Sequence, residues 1–135
     1  MNRRAGFALV AAGGAFGTLG RYAVMRAFPA APGAFPWGTL AVNLVGAAAI
    51  GVLAARGVVG SRAVGDALLG AGFLGAFTTF SALAVETVLL VDAGRPLVGG
   101  AYLVASVAGG IVACAAAWRL GRPGCSPEPT EADPC

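Results

Sequence analysis

Gly72-Phe73-Leu74-Gly75-Ala76-Phe77-Thr78-Thr79-Phe80-Ser81 lies in the middle of a stretch apolar enough to cross a membrane. Hydrocarbon offers no hydrogen-bond partner, so a spanning helix must satisfy its own backbone. Gly72 and Gly75, set among two threonines, a serine and three phenylalanines, loosen such a helix. A loosened helix is tolerated at membrane depth only where the freed groups are buried in protein or line a wet path. Those groups are then ion ligands: amide N–H for anions, carbonyl oxygen for cations. The stretch predicts an all-α membrane protein whose third helix is broken in its middle, built to pass ions.

The rest of the chain agrees. Of 135 residues, 58% are hydrophobic and 11% charged, and the mean hydropathy is +0.81. Soluble domains carry about 25% charged residues, so this chain cannot coat a soluble surface. All nine basic residues are arginines, and the net charge of +3 is too small and too spread to suggest nucleic acid. There is no histidine, hence no ordinary acid/base for neutral pH, and no enzyme is expected. Cys114, Cys125 and Cys135 fit no zinc spacing. Cys114 reads as a small hydrophobe in an apolar stretch.

Four apolar segments, 5–28, 37–55, 67–91 and 97–118, each approach the ~20 residues that span a bilayer. Residues 1–120 thus form one four-helix transmembrane domain. Residues 121–135, with four prolines and three acids, read as a disordered polar tail. Met1-Asn2-Arg3-Arg4 before an apolar run resembles a signal peptide, but an uncleaved first helix is the better reading. Gly13 and Gly17 form a GxxxG pair, and Ala101, Ala105, Gly109, Ala113 and Ala117 recur at i, i+4, which lets helices approach closely. Four thin helices enclose little volume, so a conduit calls for a second copy. One side carries Arg3, Arg4, Arg56, Arg62, Arg119 and Arg122. The other carries Arg26 and Arg95, with Arg21 near it. Six against three favours cytoplasmic termini, yet the bias is weak enough for insertion in both orientations.

Few polar residues sit at membrane depth. Asn43 offers two donors and one acceptor, for an ion or for an interhelical hydrogen bond. Glu86 at the bilayer centre would cost roughly 3 kcal/mol, so it is paired, interfacial or functional. Arg21 is explained by snorkelling. Tyr102 and Ser106, i and i+4, share a helix face. The ligands are mostly neutral donors and aromatic edges, whose partial positive charge suits a small anion bound weakly enough to leave.

Three motifs carry a family resemblance: Gly13-Gly14-Ala15-Phe16-Gly17-Thr18-Leu19-Gly20-Arg21-Tyr22, then Pro36-Trp37-Gly38-Thr39-Leu40-Ala41-Val42-Asn43-Leu44-Val45-Gly46, then residues 72–81. In these the chain resembles the Fluc (CrcB) family of fluoride channels, over about residues 5–120. The resemblance implies a fluoride-selective channel in the bacterial inner membrane that lowers cytoplasmic fluoride. It implies an antiparallel, dual-topology homodimer with two pores, in which Asn43 of one subunit works with the phenylalanine face of the other. It implies a structural sodium ion at the dimer centre on the main-chain carbonyls of Gly75 and Thr78. Phe80 matches the first pore phenylalanine, and Ser81, Thr39, Tyr102 and Ser106 match pore-side polar positions. One departure stands out: the family's second pore phenylalanine is Leu83 here, with Ala82 and Ala84 beside it in place of hydroxyls. Phe80 and Leu83, i and i+3, would form a row half aromatic and half aliphatic. A slower homodimer, or a homologous second subunit supplying the ring, would follow.

Two other readings fit four short helices. A small multidrug-type proton-coupled exporter needs a carboxylate in the first helix, which has none. A non-conducting subunit of a heteromeric channel would use the glycines for packing alone.

Overall fold

The computed structural model describes residues 2–31 and 33–122, and these are all-helical. The tail from residue 123, with Cys125 and Cys135, lies outside the described residues. Helix α1 runs Arg3–Ala27, its first turn capped by Asn2, whose Oδ1 accepts the Ala5 N–H at 2.8 Å. The loop that follows holds Pro29, Pro36 and, at Gly33, a left-handed backbone with φ 74°. Helix α2 runs Trp37–Ala55.

The third span, Ala63–Asp92, is 30 residues long and is not one helix. Its first limb, α3 (residues 63–77), opens with one regular turn at Ala63–Gly65. It then widens into π-helical turns over Asp66–Leu74 and narrows again at Gly75–Phe77. Wide turns of this kind are rare and gather at functional sites. Thr78 (φ −77°, ψ 159°) and Thr79 (φ −148°, ψ 120°) are extended. The helix is interrupted there and resumes as α4, Phe80–Asp92. Sequence reading placed the loosening correctly at residues 72–81 but foresaw neither the π turns nor the earlier start at Ala63. Helix α5, Pro96–Gly121, begins with proline, whose missing N–H costs nothing at a helix start. Among the described residues, four spans are long and apolar enough to cross a membrane.

Two close pairs organise these helices: α1 lies on α3, and α2 on α5, with α4 packed against α5. Gly13 and Gly17 explain the first pair. A Cβ on Gly13 would overlap the Leu68 carbonyl oxygen, and one on Gly17 the Phe73 carbonyl oxygen. The GxxxG pair noted in the sequence thus serves backbone-to-backbone contact within one chain. One buried cluster joins Leu40, Leu83, Leu90 and Tyr102, flanked by Phe35, Leu44 and Val98, and Val42, Ala67, Leu74 and Phe77 are buried as well. At most 33% of the most hydropathic stretch of any span is buried. Phe7, Phe16, Leu19, Phe80, Leu97, Ile111 and many other apolar side chains point outward. Such a surface is untenable in water and ordinary in lipid or against another subunit.

Candidate functional site at the helix break

The break exposes main-chain groups that a continuous helix would pair. Asn43, projecting from α2, meets them. Its Oδ1 accepts the Thr79 N–H at 2.9 Å, and its Nδ2 donates to the Thr79 carbonyl at 3.0 Å. One amide thereby satisfies both backbone groups of one extended residue. This is the interhelical hydrogen bond weighed for Asn43, realised twice and within one chain. It uses one of the two Nδ2 hydrogens. Because the Thr79 N–H turns to Asn43, it does not serve the Gly75 carbonyl four residues back, as it would in a continuous helix.

Thr78 is held from its own side. Its N–H and its Oγ1 both donate to the Leu74 carbonyl, at 3.0 and 2.9 Å. Gly46 of α2 makes the room, since a Cβ there would overlap the Thr78 methyl. Thr79 then caps α4, its Oγ1 accepting the Ala82 N–H at 3.2 Å and lying 3.2 Å from Ser81 Oγ. The break is thus a start signal for a second helix as much as an end signal for the first.

Arg21 corrects a sequence expectation. It does not snorkel away. It is half-buried, and its Nη1 donates to the Thr78 carbonyl at 3.4 Å.

A second polar cluster lies nearer the α1–α2 loop. Glu86 of α4 accepts from Thr39 Oγ1 at 2.8 Å on Oε1 and from Tyr102 OH at 2.6 Å on Oε2. Thr39 and Tyr102 are fully buried. Glu86 is therefore paired through hydroxyls, which its position in the sequence left open. Ser106, one turn beyond Tyr102, is buried, and its Oγ has no hydrogen-bond partner among the described residues. Leaving a buried hydroxyl unpaired costs roughly 1–3 kcal/mol, so this one awaits a partner.

These groups border two hollows. A groove of about 450 Å³ is lined by Asn43, Gly75, Thr78, Thr79, Phe80, Leu83 and Ser106, among others. A second hollow of about 320 Å³ has Glu86, Leu90 and the loop residues Gly33 and Pro36 in its walls. Glu86, Tyr102 and Ser106 form a polar row between the two. Arg95 Nη1 donates to the Gly33 carbonyl at 2.6 Å and ties the outer loops together.

The expected row of Phe80 and Leu83 looks different in three dimensions. Phe80 is 75% exposed, whereas Leu83 is 3% exposed and packs with Leu40 and Tyr102. Both border the groove, but they do not form one open face. Ser81 is exposed at the start of α4. What sequence reading missed is Thr79 as the residue gripped by Asn43, the closure of Thr39 and Tyr102 on Glu86, and the turn of Arg21 into the break. The i, i+4 spacing of Tyr102 and Ser106 hinted at the second. Nothing local signalled the first or third.

Residues 8–118 match the family described as "CrcB-like protein, Camphor Resistance (CrcB)". The chain belongs to the CrcB-like family. Relatives within reach of this CrcB-like chain carry a more specific name. It is 50% identical over 103 residues to the fluoride-specific ion channel FluC of Rhizobium leguminosarum bv. trifolii, covering 73% of this chain and 82% of the relative. With the FluC of Sphingopyxis alaskensis the identity is 43% over 118 residues, covering 84% and 92%. With FluC 1 of Halobacterium salinarum it is 43% over 112 residues, covering 83% and 90%. Membership and the four spans together make this a multi-pass integral membrane protein.

Proposed function

We propose that this chain is a fluoride-selective channel that passes fluoride down its gradient and so lowers cytoplasmic fluoride. The observation that carries the reading is the match of all four spans to the CrcB-like family, with relatives named as fluoride-specific channels at 43–50% identity. The site's chemistry supports it. The groove presents neutral donors: the spare Asn43 Nδ2 hydrogen, the unpartnered Ser106 hydroxyl and the first turn of α4 at Phe80. A half-helix N-terminus carries partial positive charge and attracts a small anion without trapping it. It is a conduit and not an enzyme.

An antiparallel homodimer in the bacterial inner membrane completes the reading. The groove is open to one side of the single chain, and Phe80 stands exposed at its edge, so a second copy is what would close it. The weak arginine asymmetry supports insertion in both orientations. The carbonyls of Gly75 and Thr78 fit a monovalent cation such as sodium, because the backbone N–H that would have taken the first is bonded to Asn43. Such an ion would neutralise carbonyl dipoles at the subunit junction. Leu83 leaves room for a homologous second subunit as partner.

Reconstitution tests this. Liposomes holding the chain alone should release fluoride and retain chloride. Chloride release at a similar rate, or drug-driven proton exchange, would overturn the channel reading. Labelling of a terminal cysteine in intact cells from both faces supports dual topology, and labelling from one face refutes it.

A further inference from the structure

A guanidinium inside a membrane-spanning helix needs a reason. Placing an arginine near the bilayer centre costs roughly 3 kcal/mol on insertion scales, and near a helix end it escapes by reaching for the interface. Arg21 is six residues short of the end of α1, about 9 Å inside it at 1.5 Å per residue. It turns instead to the Thr78 carbonyl, on the extended residue where α3 ends. That carbonyl is one of the two that the proposed cation site would use. A carbonyl oxygen has two lone pairs, so it can accept from Arg21 and still face an ion. The arginine then sits as a fixed positive charge beside any cation bound at the break.

The other groups around the break do not offset that charge. The side chains bordering the groove are neutral. Glu86, the carboxylate of α4, is turned to Thr39 and Tyr102. Among the described residues no cluster of three or more His, Cys, Asp or Glu could hold a metal. A cation at the Gly75 and Thr78 carbonyls is therefore bound by dipoles alone, against a neighbouring unit charge. Coulomb repulsion scales with ion charge. The same arginine opposes a divalent ion twice as strongly in free energy, so its effect on divalent affinity is the square of its effect on sodium.

We propose that Arg21 is a specificity-determining residue of the cation site: it holds sodium affinity down and excludes calcium and magnesium from the break. This rests on the cation reading above. It also gives the half-buried arginine a role that packing does not, since it sets how strongly the centre of the molecule is charged.

The test uses the full chain, purified in detergent in choline chloride, with unfolding followed on titration with sodium or with calcium. In wild type, sodium should raise the midpoint and calcium should not. Arg21→Gln removes the charge and leaves a shorter, neutral polar side chain. It should bind sodium about tenfold or more tightly, and should gain a calcium response it lacked. Arg21→Lys keeps the charge, serves as the control should the glutamine variant fold poorly, and should behave as wild type with both ions. Unchanged sodium and calcium responses in Arg21→Gln overturn the role of Arg21 while leaving the cation site standing. A lysine variant that gains calcium binding also overturns it, since charge would not then be the determinant. No sodium response in wild type removes the cation site and this proposal together.

Discussion

Replacing Asn43 by alanine strips the break of the side-chain grip on the Thr79 main chain. Two hydrogen bonds disappear, at 2.9 and 3.0 Å. Two magnitudes compete. Interhelical hydrogen bonds in membranes average about 0.6 kcal/mol each, which would put the loss near 1 kcal/mol. That average holds where the abandoned group finds another partner. Here the abandoned groups are the N–H and carbonyl of an extended residue between two helix ends, and leaving such groups unpaired costs about 1–3 kcal/mol apiece. Thr79 is half-buried rather than sealed, so the lower half of that range applies, and the expected destabilisation is about 2–4 kcal/mol. Thr79 also caps α4 and borders the groove, so its release disorders the start of α4 and the donors around it. Asn43→Ala should therefore lose thermal stability and fluoride flux together. Asn43→Asp keeps the acceptor for the Thr79 N–H but sets an oxygen against the Thr79 carbonyl, and should fare no better. Unfolding in detergent and fluoride release from liposomes check both. An alanine variant with wild-type stability and no flux would show that Asn43 acts on the ion directly and that the grip on Thr79 is incidental. Wild-type values of both would refute the whole account of the site.

Three further outcomes follow from the packing and the polar row. Gly17→Leu drives a side chain into the Phe73 backbone and should cost more than about 3 kcal/mol or prevent assembly, whereas Gly20→Ala, whose Cβ would stand 3.4 Å from the Phe77 ring, should be tolerated in the same unfolding assay. Tyr102→Phe removes the 2.6 Å bond to Glu86 from a fully buried site. It should lower stability by roughly 1.5–3 kcal/mol and slow flux, and full activity would show that the polar row is not part of the path. Leu83→Phe overfills the cluster around Leu40 and Tyr102 and should cost about 1–3 kcal/mol in unfolding. A gain in homodimer flux without that loss would show that the ring turns into the groove, as the partner-supplied ring of a heteromer would.

Composition and local pattern were enough for the class of this protein. A chain that is 58% hydrophobic and 11% charged has no soluble solution, and four runs of spanning length leave only helices, because hydrocarbon forces each segment to pair its own backbone. Glycines among hydroxyls at residues 72–81 marked where that pairing fails, since the loss is a local property of the segment. The destination of the freed groups was not legible. Asn43 and Thr79 are 36 residues apart, and Arg21 and Thr78 are 57 apart. Such distances are closed only when α1 packs on α3 through Gly13 and Gly17 and Gly46 brings α2 against Thr78. Helix periodicity put Phe80 and Leu83 three residues apart on a helix surface. It could not say that the neighbouring α2 and α5 cover Leu83 and leave Phe80 bare, because burial is decided by the neighbours and not by the helix itself.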